Sequence, residues 1–194
     1  MKNIAIIMGG YSSEHKISLV SGNVVFNFLD QSKFKGYRIH VFKEKWVYVD
    51  ANNVEFPIDK NDFSTTVNGT KIAFDAVFNA IHGTPGEDGL MQAYFELLNI
   101  PQTSCDYYQA ALTFNKRDML SVLKPYGIKT AESFYLNLGD EINLDTILAK
   151  VGLPCFVKPN KSGSSFGISK VKTREEFLPA IENAYKEDDE IIIE

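Results

Sequence analysis

The strongest constraint on this chain is an alternation of short apolar runs, polar loops containing glycine, and stripes of helical period. Residues 2–8 (KNIAIIM) are isoleucine-rich and closed by Gly9-Gly10, which predicts a buried strand ending in a tight turn. Beyond that turn the period changes. Ile17, Val20, Val24 and Phe28 recur three and four residues apart, the apolar stripe of an amphipathic helix from about Glu14 to Asp30. Tyr37 to Phe42 reads as a second strand and Lys45 to Val49 as a candidate third in a side hairpin, whereas Asn52 to Thr70 is polar and carries no assignable pattern. Asp75 to Ile81 (DAVFNAI) is another inner strand. A glycine-rich loop follows, then a helix from about Asp88 to Leu98 with Leu90, Ala93, Tyr94 and Leu97 on one face and Asn99-Ile100-Pro101 as its stop.

Strand, loop, helix and strand in repetition specify a parallel sheet with helices on its faces. We therefore expect an open, mostly parallel α/β domain over residues 1–103. Ligands of such sheets sit beyond the carboxyl ends of the strands. The loops 9–15 and 82–89 both follow inner strands and should share that edge.

A second unit is expected over residues 104–194. Asp106 to Phe114 and Asn115 to Tyr126 read as helices, the latter with Asn115 as N-cap. Ser133 to Leu138 reads as a strand, and Leu144 to Val151 as a helix ended by Gly152. PCFVKP (154–159) is a strand entering the loop KSGSSFG (161–167), and ISKVK (168–172) returns from it. Thr173 and Glu176 form a capping box for a helix reaching about Lys186, with Phe177, Ala180, Ile181 and Ala184 inside. EIIIE (190–194) opens a strand at the last residue, so the expectation is the front part of a longer protein.

Composition removes several classes of function. Apolar residues make up 44% of the 194, enough to fill one or two compact cores, and the formal charge of −5 argues against a general nucleic-acid binder or a polybasic membrane anchor. The longest apolar run, Ile4 to Met8, falls far short of the roughly 20 residues a bilayer span needs. No cleavage site of small residues follows that run, so a secretory signal is not expected. Cys105 and Cys155 lie outside any CxxC pair and read as free thiols of a cytoplasmic protein. The three scattered histidines form no metal motif.

The loops carry the chemistry. MGGYSSEH lacks the third glycine of a GxGxxG fingerprint, which excludes a nicotinamide enzyme on that pattern. Glu14, at the start of the first helix, either complements the helix dipole or offers a carboxylate to an ammonium group. His82 ends an inner strand in HGTPGEDG, where Gly83, Gly86 and Gly89 let backbone pass close to a ligand. Lys158 ends the apolar strand FVKP, an unusual place for an unpaired ammonium. Gly163, Ser164, Ser165 and Gly167 beyond it supply backbone N–H groups and hydroxyls suited to a polyphosphate, in an order that is not GxxxxGK[ST]. The bland reading of that loop is a flexible hairpin tip. Lys116, on a helix, is the weakest of these candidates.

Together, IAIIMGGYSSEHKISLVSG, FNAIHGTPGEDGLMQAYFELLNIPQTS, NKRDML, PCFVKPNKSGSSFGISKV and EIIIE resemble the D-alanine–D-alanine ligase family of the ATP-grasp superfamily. The phosphate hairpin fits many ATP-grasp enzymes; EHKIS and HGTPGEDG are the specific segments. The resemblance implies a Rossmann-like pre-ATP-grasp domain over 1–103, then the first, α+β half of an ATP-grasp domain over 104–194. It also implies ATP-dependent joining of two D-alanines through an acyl phosphate, for peptidoglycan precursor synthesis.

By position, Glu14 resembles the carboxylate that holds the first D-alanine's ammonium, directly or through Ser164, with Ser18 supporting it. His82 resembles the group near that substrate's carboxyl. Lys116 and Lys158 resemble the pair on the α- and β-phosphates, Ser164, Ser165 and Gly167 the hairpin over them, and Glu194 the acceptor for adenine's exocyclic amine. Ser162 stands where many members carry an acidic residue and receives no role. Family members commonly dimerise through the N-terminal domain. The family's Mg2+ ligands, transition-state arginine, ribose contact and covering loop fall beyond Glu194, so these 194 residues alone are expected to be inactive. A D-alanine–D-lactate ligase and a non-enzymatic nucleotide-binding or scaffold module are the competing readings.

Overall fold

The computed structural model describes residues 1–194. They form two compact units, Met1–Ala111 and Leu112–Glu194.

In the first unit, β1 (Lys2–Gly9) is central. It pairs in parallel with β2 (Phe34–Val41), in register from Lys2↔Phe34 to Gly9↔Val41, and with β7 (Ala76–Asn79), from Ile4↔Ala76 to Ile7↔Asn79. Residues 5–8 are fully buried because both sheet faces are covered. The candidate third strand forms as β3 (Trp46–Val49), and the segment without sequence pattern beyond it is ordered too: β4 (Glu55–Asp59), β5 (Ser64–Val67) and β6 (Thr70–Ile72) extend the sheet as an antiparallel meander. The strand order is β6-β5-β4-β3-β2-β1-β7. Phe63 anchors the meander. It adopts φ 52, uncommon for a bulky residue, yet is fully buried with the Phe95 ring 4.8 Å away and Phe74 5.5 Å away.

Two helices turn differently from expectation. On α1 (His15–Phe28) the buried positions are Ser18 and Gly22, whereas Val20 and Phe28 of the apolar stripe are 65% and 86% exposed, and Ile17 and Val24 are exposed as well. The reason is close approach. A Cβ on Gly22 would lie 2.7 Å from the Met8 side chain, so only a residue without one lets α1 pack this near β1. On α2 (Leu90–Leu97) the inner face is Met91, Gln92 and Phe95, while Leu90 and Leu97 of the expected face are exposed. Met91 and Phe95 stand four apart and fill the sheet face beside Ala5, Ile7, Ile39 and Val77.

The second unit is a four-stranded antiparallel sheet, ordered β10 (Ser169–Val171), β9 (Cys155–Pro159), β11 (Glu190–Ile193), β8 (Phe134–Asn137). α5 (Leu144–Val151) ends at Gly152, and α6 (Phe177–Ala184) buries Phe177, Ala180, Ile181 and Ala184 against Val157, Val171 and Ile191, as its sequence stripe predicts. The Thr173–Glu176 capping box forms, around a single 3-10 turn (Arg174–Glu176) that precedes α6. α3 (Tyr107–Phe114) crosses the boundary between the units; α4 (Lys116–Leu123) starts at the Asn115 cap and gives way to a 3-10 turn at Lys124–Tyr126. Both cysteines are free, and no helix is long and apolar enough to cross a membrane.

Candidate functional site

In the first unit the carboxyl edge of the parallel strands brings loops 9–15 and 82–89 together, as expected. Tyr11 N donates to Thr84 O (2.8 Å), and Ser12 Oγ donates to His82 O (3.1 Å) while accepting from Glu14 N (3.2 Å). Gly83, at φ +72, is the tightest point. A Cβ there would fall 2.5 Å from Ser12 Oγ and 3.3 Å from Glu14 Oε1, which places the Glu14 carboxylate directly against the histidine loop. Glu14 is 2% exposed, makes no side-chain cap bond to α1, and enters no salt bridge. A carboxylate so placed favours a cation, because burial without one is costly. His82 is half-buried, with Nε2 3.0 Å from Ser21 Oγ. Ser18 supports the edge: its hydroxyl accepts from Gly9 N (2.9 Å) and donates to Ala80 O (2.7 Å).

The loop is held by Asn79 and Gln92, which sequence reasoning did not single out, and by Glu87 of the glycine-rich segment itself. Asn79 Nδ2 (2.7 Å) and Gln92 Nε2 (2.6 Å) both donate to the Gly86 carbonyl, and Glu87 Oε2 accepts from Gly83 N (2.7 Å). Asn79 was legible in principle as a polar residue inside the apolar run AVFNAI; Gln92 and Ser21 sit on helices with nothing to mark them.

In the second unit Lys158, pointing from β9, pairs with Glu194 at 2.6 Å. The pairing of β9 and β11 sets them together, since Phe156 and Glu194 exchange backbone bonds of 2.7 and 2.9 Å. Lys116 Nζ donates to Asn160 O (3.1 Å) and Ser162 O (2.7 Å), so its ammonium lies at the root of loop 161–167. Ser162 thus contributes through its carbonyl. Ser164 and Ser165 are exposed and, with Gly167, have positive φ of 46, 62 and 71. Serines rarely adopt this conformation; where they do, strain and clustered backbone N–H groups point to an anion.

Two ammoniums beside a strained glycine–serine loop fit a polyphosphate, and a carboxylate on the paired strand fits an amine of the attached base. No three His, Cys, Asp or Glu side chains converge as a metal would need.

An α/β unit around parallel inner strands, followed by an antiparallel sheet that carries Lys158 and this hairpin with Lys116 on the helix before it, is the ATP-grasp class of architecture. Comparison makes the assignment specific. The profile described as D-ala D-ala ligase N-terminus matches residues 3–105, and that described as D-ala D-ala ligase C-terminus matches 122–194. The D-alanine–D-alanine ligase of Flavobacterium johnsoniae is 79% identical over 194 residues, all of this chain and 60% of that protein. Among solved structures, D-alanyl-alanine synthetase A from Vibrio cholerae superposes with a TM-score of 0.86 at 31% identity, covering 100% of this chain and 58% of that one. The D-alanine–D-alanine ligase of Bacillus anthracis complexed with ATP superposes with a TM-score of 0.75 at 27% identity, covering 100% and 59%. The chain belongs to the D-alanine–D-alanine ligase family and spans about 60% of the length of the curated relatives it matches.

Proposed function

We propose that the whole protein joins two D-alanines with ATP, releasing ADP and phosphate, to supply D-alanyl-D-alanine for peptidoglycan precursors in the cytoplasm. Residues 1–103 act as the N-terminal domain and 104–194 as the first half of the ATP grasp. The observation that carries this reading is Glu14: a buried carboxylate, without salt bridge, locked against the His82 loop at the ligand edge of a parallel sheet. It holds the ammonium of the first D-alanine, and His82 supports that substrate's carboxyl as it attacks the γ-phosphate to form an acyl phosphate. The amine of the second D-alanine then attacks the acyl carbonyl, and phosphate leaves.

Lys116, Lys158 and the amides of Ser164, Ser165 and Gly167 offset the repulsion between the attacking carboxylate and the triphosphate. Lys158 need not be stripped of a counter-ion for this. Phosphate replaces the Glu194 carboxylate at its ammonium, and Glu194 turns to accept from adenine's exocyclic amine, so one charged partner is exchanged for another. Bound Mg2+ supplies further charge neutralisation, through ligands in the part of the relatives' length this chain does not span. The outward stripe of α1 (Ile17, Val20, Val24, Phe28) supports a homodimer, a contiguous apolar surface of the kind that marks an association site.

The test is a coupled assay of the whole protein with ATP, Mg2+ and D-alanine. ADP release matched by D-alanyl-D-alanine is the expected result. Product only with D-lactate as second substrate replaces the reading by a depsipeptide ligase; nucleotide binding without ADP release replaces it by a binding module. The 194 residues alone are expected to release no ADP above background.

A further inference from the structure

Asn160 follows β9 and is 1% exposed, and every one of its polar groups is engaged. Its backbone N–H donates to Glu190 O (2.8 Å), and its carbonyl accepts from both Lys116 N (3.3 Å) and Lys116 Nζ (3.1 Å). In its side chain, Oδ1 accepts from Arg117 N (2.8 Å), while Nδ2 donates to Asn115 Oδ1 and to Glu190 Oε2, both at 2.8 Å. An asparagine amide offers two N–H groups and one carbonyl, and here two of the contacts go to the N-terminus of α4 and one to the start of β11. The Arg117 N–H is an otherwise open first-turn donor of α4, so Asn160 caps that helix from across the unit. One buried side chain therefore ties the N-terminus of α4 to the end of β9 and the start of β11.

The consequence concerns the two lysines. Lys116 is the first residue of α4, and Lys158 lies two residues before Asn160 on β9. We propose that Asn160 is a positioning residue for nucleotide binding: it fixes Lys116 at the root of loop 161–167 and thereby sets the spacing of the two phosphate-holding ammoniums. This deepens the functional reading above and rests on it. Asn160 touches no phosphate in this account and acts only through Lys116 and the loop.

Asn160→Asp isolates the point. The variant keeps an acceptor for Arg117 N but places an oxygen where Nδ2 stood, facing Asn115 Oδ1 and the Glu190 carboxylate. Glu190→Gln in the same chain returns a donor to that contact. The measurement is calorimetric affinity for ADP in the whole protein, with the thermal midpoint and the KM for D-alanine alongside. Asn160→Asp is expected to weaken ADP about tenfold or more and Asn160→Ser about fivefold, the range for breaking a buried hydrogen-bonded contact. Adding Glu190→Gln to Asn160→Asp should restore affinity to within about threefold, with the D-alanine KM of all variants within about twofold of wild type. Asn160→Ser keeps the test readable if Asn160→Asp does not fold. Wild-type affinity in Asn160→Ser, or a folded double variant that does not regain affinity, overturns the proposal. A wild-type protein that binds ADP but makes no dipeptide removes the ligase reading and leaves this one standing; no ADP binding at all removes both.

Discussion

Glu14 in the first unit and Lys158 in the second are both charged groups at the end of a strand-and-loop element, and they are kept in opposite states. Glu14 is buried and forms no ion pair, its loop tied to the His82 loop by the Tyr11 N–H on the Thr84 carbonyl and by the Ser12 hydroxyl, which links Glu14 N to the His82 carbonyl. Lys158 is held by Glu194, Lys116 by two carbonyls and Lys161 by Glu190. The difference follows from what each unit can build. A parallel sheet gathers loops from separate strands at one edge and can lock a lone carboxylate there. An antiparallel sheet brings diagonal neighbours within reach of long side chains, so Lys158 on β9 meets Glu194 just past β11. On the proposed reading, a cation entering the first site gains a waiting partner, whereas an anion at Lys158 must displace the Glu194 carboxylate.

Substituting Glu14 probes this contrast with the largest expected effect. Glu14→Gln keeps the shape and removes the charge. In the whole protein it should raise the D-alanine requirement roughly 10- to 150-fold, the cost of losing one hydrogen bond to a charged group. The ATP requirement should stay within about twofold, and the thermal midpoint should hold or rise, since burying an amide costs less than burying an unpaired carboxylate. Equal increases in both requirements with a lowered midpoint would show Glu14 to be a folding residue and collapse the distinction between the two units.

How far this was legible in the sequence also divides by unit. α6 reads correctly from its stripe because Phe177, Ala180, Ile181 and Ala184, three and four apart, pack against Val157, Val171 and Ile191 of the sheet. α1 reads inside out. Ser18 and Gly22 make the buried face because the helix lies almost on Met8, and no hydrophobic period announces a face made of small residues. The meander over 55–72 escaped notice because its strands are three to five residues long and lean on Phe63, a turn residue in a conformation aromatics rarely adopt. Glycine loops at strand ends were enough to bring Glu14 near His82. Asn79 stood out only as a polar residue inside an apolar run, with nothing to name its partners, and Gln92 and Asn160 were not recoverable, because their partners lie on segments distant or unmarked in sequence.

The misread stripe of α1 supplies the intermediate prediction. Within the first unit it is a second feature without a partner, apolar where Glu14 is charged. Val24→Asp in the whole protein should shift sedimentation from dimer toward monomer, while monomer stability changes by no more than about 0.5 kcal/mol, as for an exposed position. A wild-type monomer, or a dimer indifferent to Val24→Asp, would leave the stripe as ordinary surface and the contrast resting on Glu14 alone.

The smallest effect belongs to the partnered carboxylates of the second unit. Hydrogen bonds from Lys161, and then from Asn160, hold Glu190 below its ordinary value of 4.5. A carboxyl depressed on folding contributes stability that is fully present above its unfolded value and is lost as pH falls through the folded one. Denaturant midpoints should therefore be flat from neutral pH down to about 5 in this respect and decline below 4.5, where protonation breaks the pairing with Lys161. Glu190→Gln, which keeps an acceptor for Asn160 but has no proton to take up, should start slightly less stable and lose less between pH 5 and 3. Parallel acid profiles for the two proteins would mean that the charges of the second unit are screened rather than paired, and that its contrast with Glu14 is one of exposure alone.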